Sequence, residues 1–162
     1  MPRSAITRSK LPVVAIVGRA NVGKSTLWNK LIERRRAIVS SKPHTTRDRN
    51  IDLATWRGAA FQVVDTGGVD TDADEIGRGI RAQLDRAIAD ADLILFLIDG
   101  KVGVLDEDRA FAKELRKAKR GVVLVANKAD RARDIASITE SGVRGLGFGD
   151  PVMISAATGK GV

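Results

Sequence analysis

The chain has no cysteine. It can therefore build neither a disulfide framework nor a thiolate metal site, and its composition fits a reducing, cytoplasmic setting. Tyrosine is also absent, and aromatic residues make up only 4%. A set of rings for stacking unpaired bases is therefore not visible. No apolar run reaches the roughly 18 residues that a membrane helix needs, so no membrane partner is expected. The basic start, Met1 to Lys10, runs straight into a strand-like stretch with no small-residue cleavage pattern. It is read as a basic extension, not a secretory signal, ahead of one domain at 11–162. No internal repeat or low-complexity tract is evident.

What is present is ordinary for a soluble α/β protein: 162 residues, 43% hydrophobic and 30% charged, with 16 glycines. The formal charge of +8 is lopsided. Residues 1–57 hold 13 Lys and Arg against 3 Asp and Glu, while the remainder holds 15 against 17. The basic third is a plausible polyanion surface. The competing reading is that Lys24 serves a phosphate and the other cations are simply solvated.

Periodicity predicts the elements. Leu11–Val17 is a continuous apolar run ending at Gly18, as in a buried strand. Lys24–Arg34 has helical spacing, with Arg34, Arg35 and Arg36 where cations suit a helix end. Ser40–Asn50 reads as a loop, Ile51–Arg57 and Ala59–Val64 as a hairpin about Gly58, and Asp65–Glu75 as a second loop. Helices are expected over Ile76–Ala89, Asp106–Lys119 and Ile135–Ser141. Strands are expected over Leu93–Ile98, Val122–Ala126 and Pro151–Ile154. Strands apolar on both faces, alternating with amphipathic helices, imply a three-layer α/β fold with a mostly parallel sheet.

Gly18-Arg19-Ala20-Asn21-Val22-Gly23-Lys24-Ser25 matches G-x-x-x-x-G-K-[ST] completely, between a predicted strand and a predicted helix. Glycines let successive N–H groups face phosphate, and the helix N-terminus adds favourable partial charge. Lys24 is expected on the β/γ-phosphates and Ser25 on Mg²⁺, with Val22 and Thr26 completing the cradle. Asn127-Lys128-Ala129-Asp130 follows a buried strand about 100 residues later. A buried Asp130 carboxylate can accept from guanine N1–H and the 2-amino group, which adenine lacks. Lys128 can lie along the base, and Asn127 can tie this loop to the phosphate loop. After the last strand, Ser155-Ala156-Ala157 can offer backbone N–H to guanine O6.

Asp65-Thr66-Gly67-Gly68 places Asp65 on the Mg²⁺ side and the Gly68 N–H toward the γ-phosphate. Thr45 or Thr46, with Thr46 the first choice, can cover Mg²⁺ in the triphosphate state. His44 reads as a solvated or capping residue. Val69 stands where many GTPases carry a water-positioning glutamine and cannot orient water, so charge must come from elsewhere. Asn21 can help hold a monovalent cation or be a turn residue tolerant of unusual backbone angles. Arg19 lies too early in the loop to be assigned.

The stretches PVVAIVGRANVGKSTLWNKL, TTRDR, VVDTGG, LVANKAD and ISAATGKGV resemble the first G domain of the bacterial ribosome-assembly GTPases called Der or EngA. The resemblance covers the chain from Leu11. Asp-Thr-Gly-Gly sets it apart from Era-like proteins, with Asp-Thr-Pro-Gly, and TrmE-like proteins, with Asp-Thr-Ala-Gly. It implies the P-loop GTPase fold, GTP and GDP binding, slow hydrolysis with Mg²⁺, and a role with the large ribosomal subunit or its RNA. It also implies potassium activation through Asn21 and a hydrophobic residue at Val69. Ala20 departs from the family's proline, and His44 from its glycine. The chain stops at Val162, before the family's last helix, second G domain and KH-like domain, so a fragment or truncated form is expected. Two alternatives stand beside this: a nucleotide-binding but catalytically idle domain, and primarily an RNA-binding module.

Overall fold

A computed structural model describes residues 11–36, 51–66 and 76–162. Strand β1 (Val13–Val17) leads through the phosphate loop into α1 (Lys24–Arg36). Strands β2 (Ile51–Trp56) and β3 (Ala59–Asp65) form the expected hairpin. It turns at Arg57 and Gly58, whose φ values of 46° and 81° suit the strands' right-handed twist. Then come α2 (Ile76–Asp90), β4 (Leu93–Asp99), α3 (Asp106–Lys117), β5 (Gly121–Asn127), α4 (Ala132–Glu140) and β6 (Val152–Met153).

The six strands lie in the order β2-β3-β1-β4-β5-β6. Only β2 runs antiparallel to its neighbour; the other pairs are parallel. Side chains alternate between two cores. Val17, Phe96, Ile98 and Leu124 pack with Leu84, Phe111, Leu115 and Ile138 from α2, α3 and α4. Ile16, Val63, Leu97 and Val125 face the other way, with Val22, Leu27 and Trp28 from α1 and its leading loop. Burial on both sides is why these strands read as unbroken apolar runs.

Boundaries shift where polar groups intervene. α3 stops at Lys117 because Lys119, with φ of 51°, has left the helical region. α4 begins three residues before the expected Ile135, because the Asp134 carboxylate accepts from the Arg131 N–H at 3.0 Å. A short 3₁₀ turn at Val143–Leu146 lies between left-handed Gly142 and Gly147 and buries Val143 and Leu146. No helix among the described residues is long and apolar enough to cross a membrane. The order places the carboxyl ends of β1, β3, β4 and β5 side by side, and the described segments leaving β1, β4 and β5 meet there.

Candidate functional site

The phosphate loop leaves β1 along a path that requires its glycines. Gly18 and Gly23 have φ of 153° and 96°. A Cβ on Gly18 would lie 2.5 Å from the Leu97 carbonyl oxygen, and one on Gly23 would collide with the Asn127 side-chain amide. Asn21 adopts φ of 64°, a conformation asparagine tolerates better than most residues. Val22 is fully buried and pins the loop to the core. Thr26 is exposed in the first turn of α1.

The Lys24 ammonium curls back over this loop, donating to the carbonyls of Gly18 and Arg19 at 2.8 Å each. Burial lowers its pKa, and the Arg19 charge acts the same way; Asp65 and Glu107 act against it. A phosphate beside it would also favour the charged form. Because β3 pairs with β1, Asp65 at its end stands opposite the start of α1. The Ser25 hydroxyl donates to Asp65 Oδ2 at 3.3 Å. Two hard oxygens so close suit Mg²⁺, which takes few protein ligands and completes its shell with water and phosphate oxygens. Among the described residues no group of three or more acidic or histidine side chains is gathered for a metal.

Asn127, 2% exposed, joins three loops. Its amide donates to the Val22 carbonyl at 2.9 Å, and its oxygen accepts from the Ala156 N–H at 2.9 Å. Lys128 donates to the Asn21 carbonyl at 2.7 Å and to Asp99 Oδ2 at 2.8 Å. Asp99 also accepts from the backbone of Lys101 and Val102. Burial pushes its pKa up, but the bonds from Lys128, Val102 and Lys101 prevail, and the net shift is downward.

One expectation about the base loop needs correction. Asp130 is exposed, not buried. The fold covers Asn127 and Ala129 but leaves the residue beyond them at the rim. The nearby Ser155 hydroxyl, buried without a hydrogen-bond partner among the described residues, and then Lys101, whose ammonium lies 3.4 Å from Asp130, hold its carboxyl below the usual range. The N–H groups of Ser155 and Ala156 are already engaged, by the Lys160 carbonyl at 2.8 Å and by Asn127. Among the described residues the Ala157 N–H has no such bond. Thr45, Thr46, His44, Gly68 and Val69 lie outside the described residues.

Three polar residues escaped the sequence reading. Thr66 donates its hydroxyl to the Ile16 carbonyl at 2.6 Å and locks the end of β3 to β1. Asp99 braces Lys128. Asp108, fully buried on α3, pairs with Arg19 at 3.3 Å. Their partners are distant in sequence, 89 residues away for Asp108, so no local pattern announces them.

Comparison with known proteins agrees with this geometry. Residues 13–128 match the family described as 50S ribosome-binding GTPase. GTPase Der of Salinispora tropica is 49% identical over 150 residues, covering 93% of this chain and 32% of that protein. GTPase Der of Coxiella burnetii is 47% identical over 153 residues, covering 94% and 34%. The chain thus spans about a third of the length of these relatives. The crystal structure of Era with MgGDPNP and nucleotides 1506–1542 of 16S ribosomal RNA is similar with a TM-score of 0.69 and 30% identity, covering 93% of this chain and 53% of that one. The FeoB G domain of Methanococcus jannaschii gives 0.62 and 26%, covering 93% and 89%. The chain belongs to the 50S ribosome-binding GTPase family and carries its P-loop GTPase domain.

Proposed function

We propose that this domain binds GDP and GTP with Mg²⁺, hydrolyses GTP slowly, and acts as a switch in assembly of the large ribosomal subunit. The observation that carries the reading is the Asn127 joint, which fixes the base loop, the phosphate loop and the Ala156 segment to one another. A base on one side and phosphates on the other are then held at a set separation.

The residues divide the work. Gly18, Gly23 and the N-terminus of α1 present N–H groups to the phosphates, and Lys24 supplies a point charge at the β- and γ-positions. Ser25, Asp65 and, from the segment that precedes β2 in sequence, Thr46 are the residues that would hold Mg²⁺, which when bound neutralises charge on the β- and γ-oxygens. The Gly68 N–H reports the γ-phosphate. Lys128 lies under the base, and Asp130, on giving up Lys101, reads guanine.

Hydrolysis is slow because Val69 offers no hydrogen bond to a water. The Arg19 guanidinium, turned toward Asp108, does not replace one. The Asn21 side chain is exposed beside the phosphate loop, with no hydrogen bond among the described residues, and fits a ligand for K⁺. The ribosomal role rests on the family description and on the similarity to proteins named GTPase Der. The test is phosphate release by one sample in K⁺ and in Na⁺ at equal ionic strength, which holds screening constant. Turnover should rise in K⁺, and Asn21→Ala should erase the rise while leaving GDP affinity intact. Equal turnover in both salts overturns the cation assignment, and no turnover at all favours an idle nucleotide-binding domain.

A further inference from the structure

We propose that Arg19 is a positioning residue for phosphate recognition: its buried ion pair with Asp108 fixes the Arg19 carbonyl that grips Lys24. The inference deepens the proposed function and rests on its assignment of Lys24 to the β-phosphate.

Arg19 Nε donates to Asp108 Oδ2 at 3.3 Å, with side-chain exposures of 11% and 0%. The same carboxylate oxygen accepts from the Leu105 N–H at 2.9 Å and so caps α3. On its backbone side, Arg19 accepts the Lys24 ammonium at 2.8 Å. One residue therefore has its side chain anchored to α3 and its carbonyl anchored to the phosphate-binding lysine. The first turn of α3 is close enough for Glu107 to act on Lys24 electrostatically. If the Arg19 peptide rotates, Lys24 loses one of its two carbonyl partners.

Stability does not account for the pair. Arg19 makes one bond to the carboxylate where its fork can make two. Arg19 Nη2 and Asp108 Oδ1 are both buried without a hydrogen-bond partner. Burial raises the Asp108 pKa despite the Leu105 N–H and the Arg19 charge, so desolvation is not fully offset. Apolar residues in place of such a pair commonly serve stability as well or better. What apolar residues cannot do is hold the Arg19 peptide at one rotation while α3 is capped by the same oxygen.

The test compares GMP with GDP by titration calorimetry. Both offer guanine and the α-phosphate, but only GDP reaches Lys24 through a β-phosphate. Asp108→Asn keeps volume and a capping oxygen while removing the charge. It should reduce the affinity ratio of GDP over GMP about tenfold, the scale of one charge-assisted hydrogen bond. GMP affinity should stay near wild type, while the urea unfolding midpoint falls, because a single variant leaves one buried charge without its partner. Arg19→Met should do the same, and Arg19→Lys should retain more of the ratio than Arg19→Met. A merely structural pair would weaken GMP and GDP together, which overturns the inference. An unchanged ratio in either folded variant, Asp108→Asn or Arg19→Met, overturns it as well. A wild-type ratio near one is a different failure: it overturns the assignment of Lys24 to the β-phosphate, and the inference with it.

Discussion

Replacing Asn127 by alanine tests the architecture at its most connected point. The side chain is 2% exposed and makes one bond to the Val22 carbonyl and one to the Ala156 N–H, each 2.9 Å. Each such bond contributes about 1 kcal/mol net, and each buried backbone group left unpaired costs about 1–3 kcal/mol. Water entering the small space can recover part of that. The expected loss is about 2–5 kcal/mol, a large share of the roughly 5–15 kcal/mol that holds a domain together. For a chain of this size that is a fall in melting temperature of roughly 5–15 °C. GDP affinity should fall as well, because the phosphate loop loses its tie to the base loop. Asn127→Asp is the companion variant. It keeps an acceptor for Ala156 but sets a carboxylate oxygen against the Val22 carbonyl, so it should melt no higher than Asn127→Ala. The assays are thermal unfolding by circular dichroism and GDP titration. An Asn127→Ala protein that melts with wild type and binds GDP equally would refute the claim that this side chain joins the loops.

Lys24→Ala should abolish tight binding of both GDP and GTP, whereas Ser25→Ala should chiefly blunt the dependence on Mg²⁺; titrations at several Mg²⁺ concentrations separate them. Thr46→Ala should spare GDP and weaken only the triphosphate state, and equal losses would pass the switch role to Thr45. Asp130→Asn should move preference from guanine to xanthine nucleotides, with GDP weakened roughly tenfold to a hundredfold for one lost charge-assisted contact; competition between GDP and XDP reads this directly. Asp99 has a folded pKa below its unfolded one. Its contribution is therefore complete above the unfolded value near pH 4 and lost as pH falls through the lower folded value. Urea unfolding from pH 7 downward should show Asp99→Asn less stable near neutrality, with the gap closing below about pH 4.

The strands and the phosphate loop were legible because both are local. Five apolar residues at Val13–Val17 followed by Gly18 can be little else than a buried strand entering a turn, and Lys24-Ser25 at the start of a helix names the ligand. Gly58 announced its hairpin for the same reason. The helix ends at Lys117 and Ala132 were not legible. The first depends on a left-handed Lys119, which no propensity favours, and the second on the Asp134 carboxylate, which reads as an ordinary surface charge. The turn at Val143–Leu146 lay in a glycine-rich stretch with no period. In the site, Asn127 was expected to reach the phosphate loop, and its amide does bond Val22 there. The exposure of Asp130 was missed because burial depends on where β6 passes, and β6 is only two residues long. Arg19 could not be placed from sequence because its partner sits on a helix that begins beyond the next three strands of the chain.

Calorimetric titration of the wild-type chain with GDP and with ADP in excess Mg²⁺ asks whether this site reads guanine through Asp130 and phosphates through Lys24. Both ligands offer the same two phosphates, so any difference lies in the base. GDP should bind saturably at one site and ADP should be weaker by about a hundredfold or more, since adenine leaves the Asp130 carboxylate without its donors. Equal affinities, or tighter ADP, would contradict this reading of the base.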